Sequence, residues 1–293
     1  MVHHRYATVD GHRIFYREAG DAAKPAIVLL HGYPTSSFMF RELIPQLADD
    51  SHVIAPDHLG FGLSDAPPTA RFDYTFDALA EVTAALLAQL RVERYAIYVQ
   101  DYGAPIGWRL ALNDPSAITG IVTQNGNAYD AGFVPGFWDS VWAYHRQRDE
   151  ATEAAMRQAM TLEAIRWQYV TGVPDETLVD PTTWWHDYAL VSRPGNDAIQ
   201  LNLFADYASN PPLYPRLHEY FRSYQPPLLA VWGEGDEIFG PAGAHAFADD
   251  LPNAEIRLMP GGHFLLETAV NEVALLIRQF LTNRTGRAAL PGE

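Results

Sequence analysis

The run Tyr95-Ala-Ile-Tyr-Val-Gln-Asp101-Tyr-Gly-Ala-Pro-Ile-Gly-Trp108 restricts the possible folds more than any other stretch of this chain. A β-branched and aromatic segment ends at an acid, a small-residue turn follows, and a helix-compatible stretch leads away: strand, tight turn, helix. In that layout the apex side chain stands exposed above a parallel sheet, and Gly103 lets the backbone pack closely beside it. The apex here is Asp101. A carboxylate with an ordinary pKa of about 3.9 is ionised at neutral pH and can attack carbon unaided, whereas a serine needs an adjacent base.

The surrounding sequence supplies the sheet. Residues 5–18 read as a hairpin, with Tyr6-Ala-Thr-Val and Arg13-Ile-Phe-Tyr flanking the turn Asp10-Gly11. Ala26–Leu30, His52–Ala55 and Tyr95–Val99 are short apolar strands separated by helical segments, a βαβ series, and Ile118–Thr123 adds another strand. From 131 to 225 the alternation stops. That stretch is helix-compatible, broken at Gly172–Pro174 and Pro194-Gly195, and it holds Trp138, Trp142, Trp167, Trp184 and Trp185. Alternation resumes with Leu228–Trp232, a helix near Ala242–Asp250, Glu255–Met259 and a final helix over Val270–Leu281; the tail beyond Thr282 is expected to fray. The economical fold is α/β: a mostly parallel sheet flanked by helices, formed by 1–130 and 226–293, with 131–225 inserted as a helical cap.

Two further signals fall in loops after strands, where open parallel sheets hold ligands. Val231-Trp-Gly-Glu-Gly-Asp236 ends one strand with an acid and Leu258-Met-Pro-Gly-Gly-His263 ends the next with a histidine. Taken singly, Asp236 is an ordinary turn or capping residue and His263 an ordinary loop residue; their order after Asp101 is that of a nucleophile, acid and histidine triad. Glu234 and Glu237 compete for the acid role, but Asp236 has the better offset from its strand. Leu30-His-Gly-Tyr-Pro34 also follows a strand. It reads as a tight turn with Pro34 a candidate for a cis bond, and as the source of an oxyanion hole from the backbone amides of Tyr33 and Tyr102. Asp57–Asp65 is glycine-rich but lacks a phosphate-binding fingerprint and reads as structural.

His31-Gly-Tyr-Pro34, Gly60-Phe-Gly-Leu-Ser64, Val99-Gln-Asp-Tyr-Gly103, Trp232-Gly-Glu-Gly-Asp236 and Gly261-Gly-His263, in that order, resemble the α/β-hydrolase superfamily in the branch of epoxide hydrolases and haloalkane dehalogenases. The resemblance spans nearly the whole chain. It implies that Asp101 forms an alkyl ester, that His263 oriented by Asp236 activates water to hydrolyse it, and that no cofactor is needed. No Gly-x-Ser-x-Gly of an ordinary esterase occurs.

For the leaving atom, epoxide hydrolases share the His-Gly-aromatic-Pro motif and protonate the opening ring with cap tyrosines; Tyr207 and Tyr144 are the nearest matches, with Tyr129, Tyr169 and Tyr188 as further candidates. Tyrosines in such a cap also serve simply as packing. Haloalkane dehalogenases resemble the chain in Pro34-Thr-Ser-Ser37 and Val99-Gln100, but their halide-gripping tryptophan after the nucleophile is replaced here by Tyr102, and the second donor position holds Tyr33. The arginines with which fluoroacetate dehalogenases hold a carboxylate are absent from Tyr102–Ile106. The expectation is therefore an epoxide hydrolase, with haloalkane dehalogenase as the alternative and a non-catalytic small-molecule binder on the same scaffold as a reading of another class.

Composition narrows the partners. Thirty-six acidic against 20 basic residues give a net charge of −16, which disfavours nucleic acid and anionic membranes, and the absence of cysteine excludes thiolate chemistry. A small, mostly apolar, neutral substrate is expected. No metal is expected, since no histidine pair has helical ligand spacing and His3-His4 lie in an N-terminus expected to be flexible. With no signal peptide or membrane-length apolar run, a cytoplasmic location is expected.

Overall fold

The computed structural model describes residues 1–287. The hairpin is β1 (Val2–Val9) and β2 (His12–Ala19), longer than the sequence reading because His3 and His4 pair with Glu18 and Arg17 rather than lying free. Asp10 and Gly11 both have positive φ, 49° and 84°, the turn conformation whose twist matches the flanking strands. Then come β3 (Ala26–Leu30), α1 (Leu43–Leu47), β4 (His52–Pro56), α2 (Phe76–Gln89), β5 (Tyr95–Gln100), α3 (Gly103–Asn113) and β6 (Ile118–Gln124). The inserted segment contains α4 (Phe137–Arg146), α5 (Glu150–Gln158), α6 (Leu162–Val170), α7 (Thr182–Val191), α8 (Asn196–Asp206) and α9 (Tyr214–Tyr224). It is followed by β7 (Leu228–Gly233), α10 (Pro241–Asp250), β8 (Glu255–Met259) and α11 (Leu266–Arg287).

The strands form one sheet in the order β1-β2-β4-β3-β5-β6-β7-β8, antiparallel between β1, β2 and β4 and parallel from β4 to β8. Every residue of β4, β5 and β7 is buried, as a parallel sheet with both faces covered requires; the edge strands β1 and β8 are largely exposed. The order reverses at β3 and β5, which lie side by side with Leu30 opposite Val99. Loops leaving these two strands therefore open at a topological switch point.

Local chemistry starts and stops the inserted helices. Asp149 and Thr152 form a capping box on α5, and the Thr161 hydroxyl accepts the Ala164 amide at the start of α6. Gly172 and Gly195, at φ 75° and 84°, make the breaks read from the sequence. Within this segment α4 packs on α5 and α8, and α6 on α7, whereas α9 packs on α3 and α10 beside the sheet. In α11, Ala269 leaves helical geometry at φ −131°, so the long helical stretch begins near Val270 as expected. The helix continues past Thr282 to Arg287, a correction to the expected fraying; residues 288–293 lie outside the described residues. No helix among the described residues is long and apolar enough to cross a membrane.

Candidate active site

Asp101 occupies the apex between β5 and α3 with φ +47°, a strained conformation for a residue with a Cβ and the one an elbow imposes. Two glycines make this possible by close approach. A Cβ on Gly103 would lie 2.1 Å from the Leu30 carbonyl oxygen, and one on Gly32 would lie 2.3 Å from the Asp101 Cβ. The loops after β3 and β5 thus touch at the carboxylate.

The turn after β3 is fixed by a pair of packed imidazoles, His31 and His58, with ring centroids 4.2 Å apart and planes inclined at 34°. His31 Nδ1–H donates to the Gly32 carbonyl at 2.9 Å, and its Nε2 accepts the His58 amide at 3.1 Å. The Tyr33–Pro34 bond is cis, as considered from the sequence. The Tyr33 amide donates to Oδ1 of Asp101 at 2.6 Å, and the Tyr102 amide also donates to the carboxylate. Both amides named from the sequence therefore converge on Asp101.

Its other oxygen, Oδ2, lies 3.8 Å from Nε2 of His263. Nδ1 of His263 is 2.8 Å from Oδ2 of Asp236, and the imidazole is otherwise enclosed by Phe239 and Phe264. Asp236 is held in turn: its Oδ1 accepts the Ile238 amide at 2.7 Å and its Oδ2 the Asn125 side-chain N–H at 2.8 Å. Glu234 and Glu237, the rival acids, are exposed, whereas Asp236 is buried.

Burial pushes the Asp101 carboxyl above its ordinary range, while His263 and the two amides pull it back. Burial thus works against the charged carboxylate and these neighbours work for it. Burial pushes the His263 imidazole down, yet Asp236 and Asp101 more than offset this and leave it above the usual value.

Asp101 lies in the wall of a cavity of about 260 Å³ beneath the inserted helices. Phe137, Trp138, Met156, Trp167, Phe204 and Ile238 make it largely apolar, with Tyr33, Tyr102, Gln168 and Tyr207 as polar contributors. Tyr207, the first cap candidate, is 2 % exposed and near enough to Asp101 that the carboxylate helps raise its phenol well above the ordinary value, second to burial and the charge on Tyr214. It sits on a turn gripped by Arg109, whose guanidinium donates to Asn210 Oδ1 at 2.7 Å and to Ser209 Oγ at 3.0 Å.

The second candidate, Tyr144, lies elsewhere. Tyr144 does not line the cavity; it projects from α4 toward Arg148, whose guanidinium carbon is 5.8 Å from its ring. Tyr129 donates to Asp250 at 2.9 Å, Tyr169 donates to buried Asp187, and Tyr188 lies outside the cavity wall. The glycine-rich turn at 57–65 is closed on itself, with the Asp57 carboxylate accepting the Ser37 and Leu63 amides at 2.8 and 2.7 Å, in line with a structural role.

Gln100, Asn125 and Gln168 escaped the sequence reading. Gln100 adjoins the apex, where the sequence reading used it only as part of a resemblance and gave it no role. Asn125 lies in the turn Gln124-Asn-Gly-Asn127, which has no motif of its own. Among the described residues no group of three or more histidine or carboxylate side chains is placed to hold a metal.

The sheet order, the elbow and the converging amides define an α/β hydrolase, and the chain belongs to that family: the model of the alpha/beta hydrolase fold matches residues 25–270. The chain is 45% identical over 274 residues to an uncharacterized hydrolase of Saccharomyces cerevisiae, YNR064C, with 92% of this chain and 94% of that one covered. It is 39% identical over 280 residues to haloalkane dehalogenase 2 of Mycobacterium bovis, 90% of each chain being covered. Among solved structures, the epoxide hydrolase CorEH superposes with a TM-score of 0.79 at 20% identity, over 97% of this chain and 99% of that one, a likeness of fold. The protein is thus a hydrolase of the α/β fold related to haloalkane dehalogenases.

Proposed function

We propose that this hydrolase opens epoxides to vicinal diols through an ester on Asp101, with His263 as the base for ester hydrolysis, Asp236 as its orienting partner and Tyr207 as the proton donor to the ring oxygen. The observation that carries the reading is the unequal treatment of the two Asp101 oxygens: Oδ1 is held by the Tyr33 amide at 2.6 Å, while Oδ2 faces His263 across 3.8 Å without a direct hydrogen bond.

In this scheme Oδ2 bonds to one ring carbon, that carbon's bond to the epoxide oxygen breaks, and the released oxygen takes the Tyr207 proton. Water then gives a proton to Nε2 of His263 and adds to Cγ, and the charge develops on Oδ1, where the Tyr33 amide already points. The bond between Cγ and the alkyl-bearing oxygen breaks. The departing alkoxide takes the proton from His263, and the proton left on the Asp101 acid restores Tyr207 through solvent. Asp236 stabilises the imidazolium that forms between these steps.

The cavity's apolar lining and small volume suit a small neutral substrate. The Tyr207 phenol at its wall suits an oxygen leaving atom, and of the two indoles in the wall Trp138 already donates to the Ile238 carbonyl at 2.8 Å, while Trp167 makes no such bond to any described residue. Haloalkane dehalogenation is the second reading, favoured by the identity to haloalkane dehalogenase 2 of Mycobacterium bovis.

Intact-mass measurement of His263→Gln after incubation with epoxides and haloalkanes tests the proposal. Gain of a whole epoxide mass supports it; gain of a haloalkane mass less hydrogen halide, without epoxide adducts, supports the second reading. Unmodified protein throughout overturns both.

A further inference from the structure

Gln168, on α6, is 6 % exposed and lines the cavity that contains Asp101, and its side-chain amide makes no hydrogen bond to any described residue. Its neighbours in the wall differ. The Tyr33 hydroxyl donates to the Ala159 carbonyl at 3.1 Å, the Ser140 hydroxyl to the Phe137 carbonyl at 3.3 Å, and the Trp138 indole to the Ile238 carbonyl at 2.8 Å. The Tyr102 hydroxyl is unpaired but fully enclosed, whereas neither polar atom of Gln168 is enclosed in this way. Gln158, the other amide of the wall, is exposed, so a largely apolar chamber presents one buried free amide to whatever fills it.

We infer that Gln168 is a specificity-determining residue that binds a neutral hydrogen-bonding group, an ether, hydroxyl or carbonyl oxygen, carried by the substrate apart from its reacting carbon. The inference rests on the covalent reading of the same cavity and adds the substrate class. A buried amide left without a partner destabilises the complex, so a purely hydrocarbon substrate that displaces water from Gln168 is penalised, and one that supplies an acceptor is not. Gln168 stands on α6 of the inserted segment and Asp101 at the end of β5, so the wall offers a substrate two polar contacts on different elements. No cationic side chain is among the described lining residues, so an anionic group would be buried there without a partner.

The experiment uses epoxides of equal length in which one methylene at successive positions is replaced by oxygen, each compared with its hydrocarbon parent. For wild type and Gln168→Met, which keeps the volume and helix compatibility of the side chain, kcat/KM is measured and the ratio of oxygen-containing to parent substrate is formed. Differences in intrinsic reactivity cancel between the two proteins. At one oxygen position at least, the ratio should fall about tenfold in Gln168→Met, with partial return in Gln168→Asn. A ratio unchanged within about twofold at every position overturns the inference even though the enzyme is active. If no epoxide is consumed and none alkylates His263→Gln, the covalent reading fails separately. Equilibrium binding of the same panel to Asp101→Asn, with and without Gln168→Met, then decides the role of Gln168: loss of the oxygen preference supports it, and an unchanged preference refutes it.

Discussion

The side-chain nitrogen of Gln100 lies 2.9 Å from Nε2 of His263, while Nδ1 of the same ring lies 2.8 Å from Asp236. With Nδ1–H donating to the carboxylate, Nε2 is a lone-pair acceptor at rest, and Gln100 holds it in that state. Oε1 of Gln100 is buried with no partner. When His263 takes a proton during ester hydrolysis, the amide has to turn to present that oxygen to the new N–H. In the proposed mechanism Gln100 is thus a positioning residue for the second half of the reaction.

Replacement of Gln100 by methionine should therefore slow hydrolysis of the ester about tenfold and leave its formation within about threefold of wild type. Rapid-quench measurement separates the two, because the ester then accumulates in a burst. Equal slowing of both steps would assign Gln100 a merely structural part.

Tyr207→Phe removes the phenol while retaining the ring that packs 4.5 Å from Trp138. Epoxide opening should fall about 100-fold or more, the usual size of a lost general acid, with little change in thermal stability. Tyr144→Phe, outside the cavity, should stay within about twofold of wild type on the same assay.

Ester hydrolysis needs His263 neutral, and Asp101 is among the anions that raise its pKa. Alkylation removes that charge. The acid limb of the hydrolysis step should therefore lie at lower pH than the His263 titration in the free enzyme, readable by comparing single-turnover pH profiles with NMR titration of the resting protein.

Acid should also unfold the protein through His31. Burial lowers its pKa to about 4 from the usual 6.5, and His58 is pushed down as well. The folded state thus binds fewer protons than the unfolded chain. The stabilisation is complete above about pH 6.5 and is lost as pH falls toward 4, with His31 alone accounting for about 3 kcal/mol. Denaturant titrations between pH 7 and 4.5 should show this slope, and His31→Gln should flatten it.

The strands could be read from sequence because their burial is continuous: β4, β5 and β7 are apolar or small at almost every position, and the acid at 101 interrupts such a run with a signature that has few alternatives. Asp236 and His263 were legible by the same logic, each ending a strand. The cap was harder. Tyr144 and Tyr207 both sit in aromatic-rich helical sequence, and only packing decides that one ring turns into the cavity while the other turns toward Arg148. Asn125 and Gln168 carry no motif and the motif around Gln100 does not reveal its role, since what distinguishes them is the atom they face across the fold: Asp236 for Asn125, His263 for Gln100, and open cavity for Gln168.

The most direct test of the covalent claim is a single turnover with enzyme in excess over epoxide in H₂¹⁸O. The diol formed should contain no label, because its new oxygen comes from Asp101, and the peptide carrying Asp101 should gain one ¹⁸O. Labelled diol with an unlabelled Asp101 peptide would mean that water attacks the ring directly, and would contradict the account.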